Sequence, residues 1–391
     1  MNIRVLSILS LLSVSTLEAY VPISPTNPNQ NEQNVADNLN ALRASGALDS
    51  DPSLLNAYNS LASLSDNTLN QALDQLHPAP YSAFPEIQAA VGGQILTTFH
   101  RKPAPYCCCS SPLRAWAEPY GNWLQEKNLE QELGFTANSK GIAFGVDGEV
   151  LEGWVVGAGG IWNDSHLYWK RGQGRATMNG YYGAIYTDYS TENVYVGASF
   201  LAGLDRFNTS RHIRFSDIDT KAHGHYYGTE ILGQISTALF FGPSMCFMFP
   251  YFNIDFLYLN QHSYQEEGAA GLDLDVRSNG QTTMRTEAGF ALQVSDMNAY
   301  RNFCFSPLFS LGWAMECPLS RPNYKATFAD QSSRFQATGW DHTWQLFTVR
   351  FGATFSYKCV TLFSGYVAEM NPVDRTPYFD QRGDIRLDCS W

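Results

Sequence analysis

Apolar positions recur along this chain with two different periods, and the change comes near Leu113. Ahead of it, Leu54, Leu55, Tyr58 and Leu61 fall at helical spacing behind Asp51-Pro52, which offers an N-cap and a proline at the first helical position. Ser65 precedes Leu69, Leu73 and Leu76 as the cap of a second helix, which His77-Pro78 ends. A third helix is expected from about Pro85 to Phe99, with Ile87, Val91, Ile95 and Phe99 on one face and Gly92-Gly93 weakening it. The stripes predict a small helical region with an ordinary packing face. The polar run Asn27 to Asn34 reads as a flexible leader.

Beyond Leu113 the period is two. Met284, Ala288, Phe290, Leu292 and Val294 share one face of a strand, while Thr283, Arg285, Glu287, Gly289 and Gln293 share the other. Phe347, Val349, Phe351, Ala353, Phe355 and Tyr357 alternate likewise with Thr348, Arg350, Gly352, Thr354 and Ser356. A soluble sandwich also alternates, so the links between strands carry the distinction. About 12 strands are expected, beginning near Arg114, Gly141, Trp154, Met178, Asn193, Tyr226, Cys246, Thr282, Phe303, Thr343, Cys359 and Asp384.

Long links (Leu124 to Lys140, Asn163 to Arg175, Asp205 to His225, Asn260 to Gln281, Pro318 to His342, Asn371 to Gly383) alternate with short ones such as Ser190 to Glu192 and Lys358 alone. Sorting by parity is what outer-membrane barrels do, with short periplasmic turns and longer outer loops. The last strand puts Ile385, Leu387, Cys389 and Trp391 on one face and stops on the aromatic. In a closed barrel such an edge pairs with the first strand. The fold class expected is therefore all-β, a 12-stranded antiparallel transmembrane β-barrel preceded by a small α-helical region.

Composition agrees. Aromatic residues make up 14%, charged residues only 16%, and there are 31 glycines; soluble domains carry about 25% charge. Met1-Asn2-Ile3-Arg4 ahead of the apolar run to Leu17, with Ala19 as a small residue for cleavage, predicts a signal peptide. The expected layout is a signal peptide over 1–19, a flexible leader over 20–50, a helical region and linker over 51–112, and the barrel over 113–391. A net charge of −12 argues against a nucleic-acid partner.

The run Leu69 to Tyr81 resembles the junction that precedes the barrel in autotransporters of type V secretion. Trp116 with Tyr120-Gly121, Gly134-Phe135, Gly141 to Asp147 and Trp154 to Gly159 are similar, in order, to the opening strands of the autotransporter β-domain. The resemblance spans about Leu69 to Trp391. It implies an outer-membrane translocator barrel and a C-terminal signal at Ile385, Leu387 and Trp391 for the barrel-assembly machinery. Only about 90 residues lie between Ala19 and Leu113, too few for a stacked β-helical passenger. The cysteine count is similar to that of the disulfide-linked outer membranes of chlamydiae.

Candidate chemistry is limited. Asp217-Ile218-Asp219, Asp273-Leu274-Asp275 and Asp164-Ser165-His166 contain the pieces of an omptin-like protease in reversed order, and His262-Ser263 lacks the spacing of a phospholipase-like barrel. His223-Gly224-His225 with His212 lacks a carboxylate or thiol at a metal-ligand spacing. No catalytic residue, metal or cofactor is expected. Glu230, Asp255, Arg285, Glu287, Arg350, Arg386 and Asp388 fall on the polar phase of their strands, and a lipid-facing Arg at the midplane would cost ~2–4 kcal/mol, so all are expected in the lumen. Cys107, Cys108 and Cys109 are adjacent and too close to pair with one another, which leaves distant or intermolecular thiols, including those of envelope proteins. The expected partners are thus outer-membrane lipid, the assembly machinery and disulfide-linked envelope proteins. Two readings follow: a barrel that anchors or displays the helical segment, or a pore with that segment as lumen plug. A hydrolase is the third and weakest.

Overall fold

The computed structural model describes residues 20–99, 113–128, 133–242, 246–294, 303–339, 341–372 and 378–391. The expected signal peptide and Cys107 to Cys109 lie outside them. Four helices come first: α1 (Gln30–Ala44), α2 (Pro52–Ala62), α3 (Asp66–Leu73) and α4 (Ala83–Thr98). Seven strands follow, β1 (Leu113–Glu126), β2 (Phe135–Leu151), β3 (Trp154–Trp169), β4 (Gly174–Ser190), β5 (Val194–Phe215), β6 (Ile218–Leu239) and β7 (Cys246–Gln261). Next are β8 (Tyr264–Glu267), β9 (Leu274–Val276), β10 (Asn279–Val294), β11 (Phe303–Pro318), β12 (Asn323–Phe328), β13 (Arg334–Thr338), β14 (Trp344–Tyr357), β15 (Val360–Met370) and β16 (Tyr378–Ser390).

Twelve of these strands close a barrel; β8, β9, β12 and β13 extend its sheet from β6 at the end of the long links. Closure is direct, because β16 lies antiparallel to β1 with Ala115 opposite Cys389 and Ala117 opposite Leu387. β7 joins β6 on one side and β10 on the other. No sheet edge is left in the wall, as a membrane requires. Outward positions are apolar and exposed, among them Phe144, Ile185, Phe200, Ile235, Phe256, Leu311, Phe351 and Ile385.

The links are shorter than expected wherever strands run on past the membrane. Asp205 to His225, expected as a link, is mostly strand: β5 and β6 meet at Ser216 and Asp217, with Ser216 at φ 51°. Phe207, Ile213 and Phe215 keep the inward phase and are buried, while Arg206, Asn208, Arg214 and Lys221 face water and give the segment its loop-like polarity.

The expected flexible leader is corrected too. Asn29 and Glu32 form a capping box at the start of α1, and Val35, Ala36, Leu39 and Leu42 are buried. The asparagines that looked like a linker pair with a strand edge. Asn31 Nδ2 donates to the Thr338 carbonyl at 2.8 Å and its Oδ1 accepts from Thr338 N at 2.8 Å. Asn34 donates to the Gln336 carbonyl, also at 2.8 Å, so the edge of β13 is covered by a helix. α2 starts as expected, Asp51 accepting from Ser53 N and Leu54 N at 3.0 and 3.1 Å. Ser65 stands at the N-cap of α3, but its side chain makes no cap bond; its carbonyl receives Thr68 N at 2.9 Å.

Candidate functional site

α4 has no ordinary packing face. Of its residues only Thr97 is not fully buried, and a helix buried all round must be enclosed. The wall of the barrel encloses it. Gly92, which with Gly93 weakens the helix as sequence, makes this passage fit: a Cβ on Gly92 would lie 2.6 Å from the Leu232 side chain.

At the outer end the filling is aromatic. Phe84 packs edge-on to Phe207 at 4.8 Å and to Trp169 at 6.3 Å, and Tyr226 stacks on Tyr264 at 4.0 Å. One ion pair is sealed among these rings. Arg211 pairs with Glu266, which also accepts from Tyr81 Oη at 2.6 Å, while Arg211 donates to the Gln75 and Leu272 carbonyls at 2.6 and 2.9 Å. Burial and the Glu266 charge hold the Tyr81 phenol well above its ordinary range.

The middle is polar. Gln88 on α4 donates to Tyr182 Oη at 2.8 Å, to Asp205 at 3.3 Å and to Glu230, and Tyr182 joins those two carboxylates at 2.5 and 2.8 Å. Trp344 Nε1 donates to Glu86 at 3.1 Å. Across the lumen Arg285 binds Glu369 at 2.6 Å and Glu287 at 3.1 Å, with Asp255 and Glu316 each at 3.8 Å. Glu369 is shared with Arg382 at 2.6 Å, and Glu287 with Arg350 at 2.7 Å. At the inner end Arg386 donates to the Thr98 carbonyl at the C-terminus of α4, lies 4.3 Å over the Trp116 ring and pairs with Asp388 at 2.9 Å. Two cavities of about 190 and 220 Å³ flank the last turns of α4 and share Thr97, Phe249, Leu308 and Arg350.

Each charge expected in the lumen therefore has a definite place: Glu230 in the Gln88 cluster, Asp255, Arg285, Glu287 and Arg350 in one network, Arg386 and Asp388 below α4. Sequence reasoning missed Asp205, Arg211, Asp380 and Arg382, all placed in links, although each keeps the polar phase of its strand. Glu316 and Glu369 were likewise missed at strand ends. Ile385, Leu387 and Trp391 lie on the outer surface of the wall, 54%, 47% and 62% exposed. Asp164 and His166 lie on the outside of β3, Asp217 sits at the β5–β6 tip beside Ser60, and no cluster of three metal-ligand side chains occurs among the described residues. Asp219 pairs with His212 at 2.7 Å, and His225 with Arg206.

α1, α2 and α3 form a cap at the outer end. It holds β13 through Asn31 and Asn34, the loop before β9 through Ser53, which accepts from Gly271 N at 2.7 Å, and the β5–β6 hairpin through Gln75, whose Oε1 accepts from Arg214 N at 2.6 Å. Within the cap, burial pushes the Glu32 carboxyl up to about 7; hydrogen bonding from the Asn29 backbone opposes the rise and the nearby Asp74 adds to it.

A family model described as Autotransporter beta-domain matches residues 115–367. The chain is similar to the translocator domain of autotransporter NalP from Neisseria meningitidis, at 14% identity and a TM-score of 0.60, over 80% of this chain and 98% of that one. The beta domain of the Bordetella autotransporter BrkA gives 14% identity and a TM-score of 0.51 over 70% and 98%. The transport unit of the autotransporter AIDA-I from Escherichia coli gives 13% and 0.50 over 81% and 99%. At these identities the likeness is one of fold. No curated protein sequence matches the chain.

Proposed function

Because the chain belongs to the autotransporter β-domain family, a family of outer-membrane barrels with a helix in the lumen, we propose that it anchors its own N-terminal helical segment and displays it on the cell surface. The direction of α4 carries this reading. The helix enters from Phe99 at the end of the short turns and leaves at Ala83 among the long links, so residues 20–82 emerge on the side that outer-membrane barrels turn outward. The reading includes export by a signal peptide over residues 1–19, recognition of Ile385, Leu387 and Trp391 by the barrel-assembly machinery, and disulfide exchange through Cys107 to Cys109 with envelope proteins. It contains no catalytic step.

An epitope inserted at the exposed Ser45-Gly46 turn tests it. Protease added to intact cells is expected to remove the epitope. Protection on intact cells, with cleavage only after the outer membrane is opened, would overturn display. The two cavities beside α4 favour a second, narrower reading in which α4 is a plug. Deleting residues 20–99 should then raise single-channel conductance in planar bilayers.

A further inference from the structure

Charge on the outside of the wall is confined to one side of the barrel. The outward positions of β10, β11, β14, β15, β16 and β1 carry none. On β2, β4 and β5, by contrast, the apolar belt ends in a cation, and between them β3 ends in Asp164 and His166. The outward series Phe144, Ile142 on β2 turns at Lys140; Phe200, Ala202, Leu204 on β5 turns at Arg206; and beyond Tyr181 on β4 comes Arg175. Register puts Lys140, Asp164, Asn179, Arg206 and Tyr227 in one row across five strands. Lys140 and Arg206 thus stand three strand spacings apart, about 14 Å. Arg175 lies two outward positions, about 13 Å, farther along β4 than Asn179, opposite Tyr168 and Ser210.

These cations keep capacity for a ligand. Arg206 Nε donates to His225 Nε2 at 3.2 Å, and its terminal nitrogens have no protein partner among the described residues. Neither Arg206 nor Arg175 has a carboxylate within ion-pair distance among them. Lys140 is 67% exposed, and its one carboxylate, Asp164 at 3.5 Å, is divided with His166 at 3.3 Å. The exposed Tyr227 ring within the row and the exposed Tyr181 ring opposite Leu204, just beneath it, mark this level as the lipid boundary.

We propose that this wall is a docking face for phosphorylated headgroups of outer-leaflet glycolipid, held by Lys140, Arg175 and Arg206. Phosphate is the matching chemistry because a guanidinium fork binds its oxygens bidentately, and at this height on the wall the neighbours are headgroups. The inference rests on the outward orientation of the long-link end.

The test is titration of the purified full chain in zwitterionic detergent with rough lipopolysaccharide, with the same lipid after phosphatase treatment, and with inorganic phosphate. The combined variant K140Q/R175Q/R206Q should bind the phosphorylated lipid at least about tenfold more weakly than the parent. The dephosphorylated lipid should bind the parent as weakly as the intact lipid binds that variant. Folding of the variant is checked by its heat-dependent shift on gels, and R277Q/K325Q, exposed charges just after β9 and on β12, should bind like the parent. Unchanged binding by the folded triple variant overturns the inference, as does equal binding of the dephosphorylated lipid. Full competition by inorganic phosphate at equal phosphate concentration would also overturn it, leaving a free-anion site. A surface-exposed Ser45 epitope together with any of these results removes this inference alone; a periplasmic epitope removes the display reading first.

Discussion

The two ends of the lumen hold α4 by different means. At the outer end Tyr81 and Phe84 sit among Trp169, Phe207 and Tyr264, and the ion pair of Arg211 with Glu266 is sealed by aromatic rings. From the middle inward the helix runs past Arg285, Arg382, Arg386 and their carboxylates, with cavities beside its last turns. Ring packing tolerates no gap, so the outer end acts as a seal. A network of charges can keep partners while a neighbour moves, so the inner part holds the helix less tightly than the outer.

The strongest way to break this contrast is in the charged part. Arg285→Leu leaves Glu369, Glu287, Glu316 and Asp255 short of a shared cation, and removing one partner from a buried pair costs about 3–5 kcal/mol. The folded, heat-shifting gel band should fall sharply; a parent-like band and unfolding temperature would mean the network is solvated. Next, Phe84→Ala removes the ring at the centre of the seal, at about 3–4 kcal/mol. Here the barrel itself should survive while α4 loosens, which protease sensitivity near residue 80 and raised conductance would report.

A smaller effect separates the cap from both. With the folded Glu32 pKa near 7 and the ordinary value at 4.5, the protonated form favours folding. Its contribution is fully present below about pH 4.5 and is lost as pH rises through about 7. Proteolysis of the cap should therefore be slower at pH 5 than at pH 8, and Glu32→Gln should flatten the difference; an unchanged slope would show that Glu32 is not its source. Smallest of all, Arg43→Ala breaks the Arg43–Asp49 pair, in which Asp49 is 65% exposed, and should cost under about 1 kcal/mol in cap stability by protease titration.

The same contrast explains which parts could be read in advance. Strand number and phase were legible because lipid outside and polar groups inside impose a strict period of two, seen in Phe347 to Tyr357. Where β5 and β6 leave the membrane, the outward residues become polar, and Arg206 and His225 resemble a loop although the inward phase continues. Asn31 and Asn34 resemble a linker because a helix that covers a strand edge needs amide side chains, and nothing nearby in sequence names that edge.

By itself, then, the sequence determined the number of wall strands, the phase of the charges in their regular stretches and the closing aromatic strand, since each follows from local alternation against two solvents. Only the tertiary structure decided that α4 fills the lumen, that Gly92 serves its fit against Leu232, and that Gln88 meets Asp205 and Glu230. These contacts join residues more than a hundred positions apart, and the closure of the wall, which no local pattern encodes, is what brings them together.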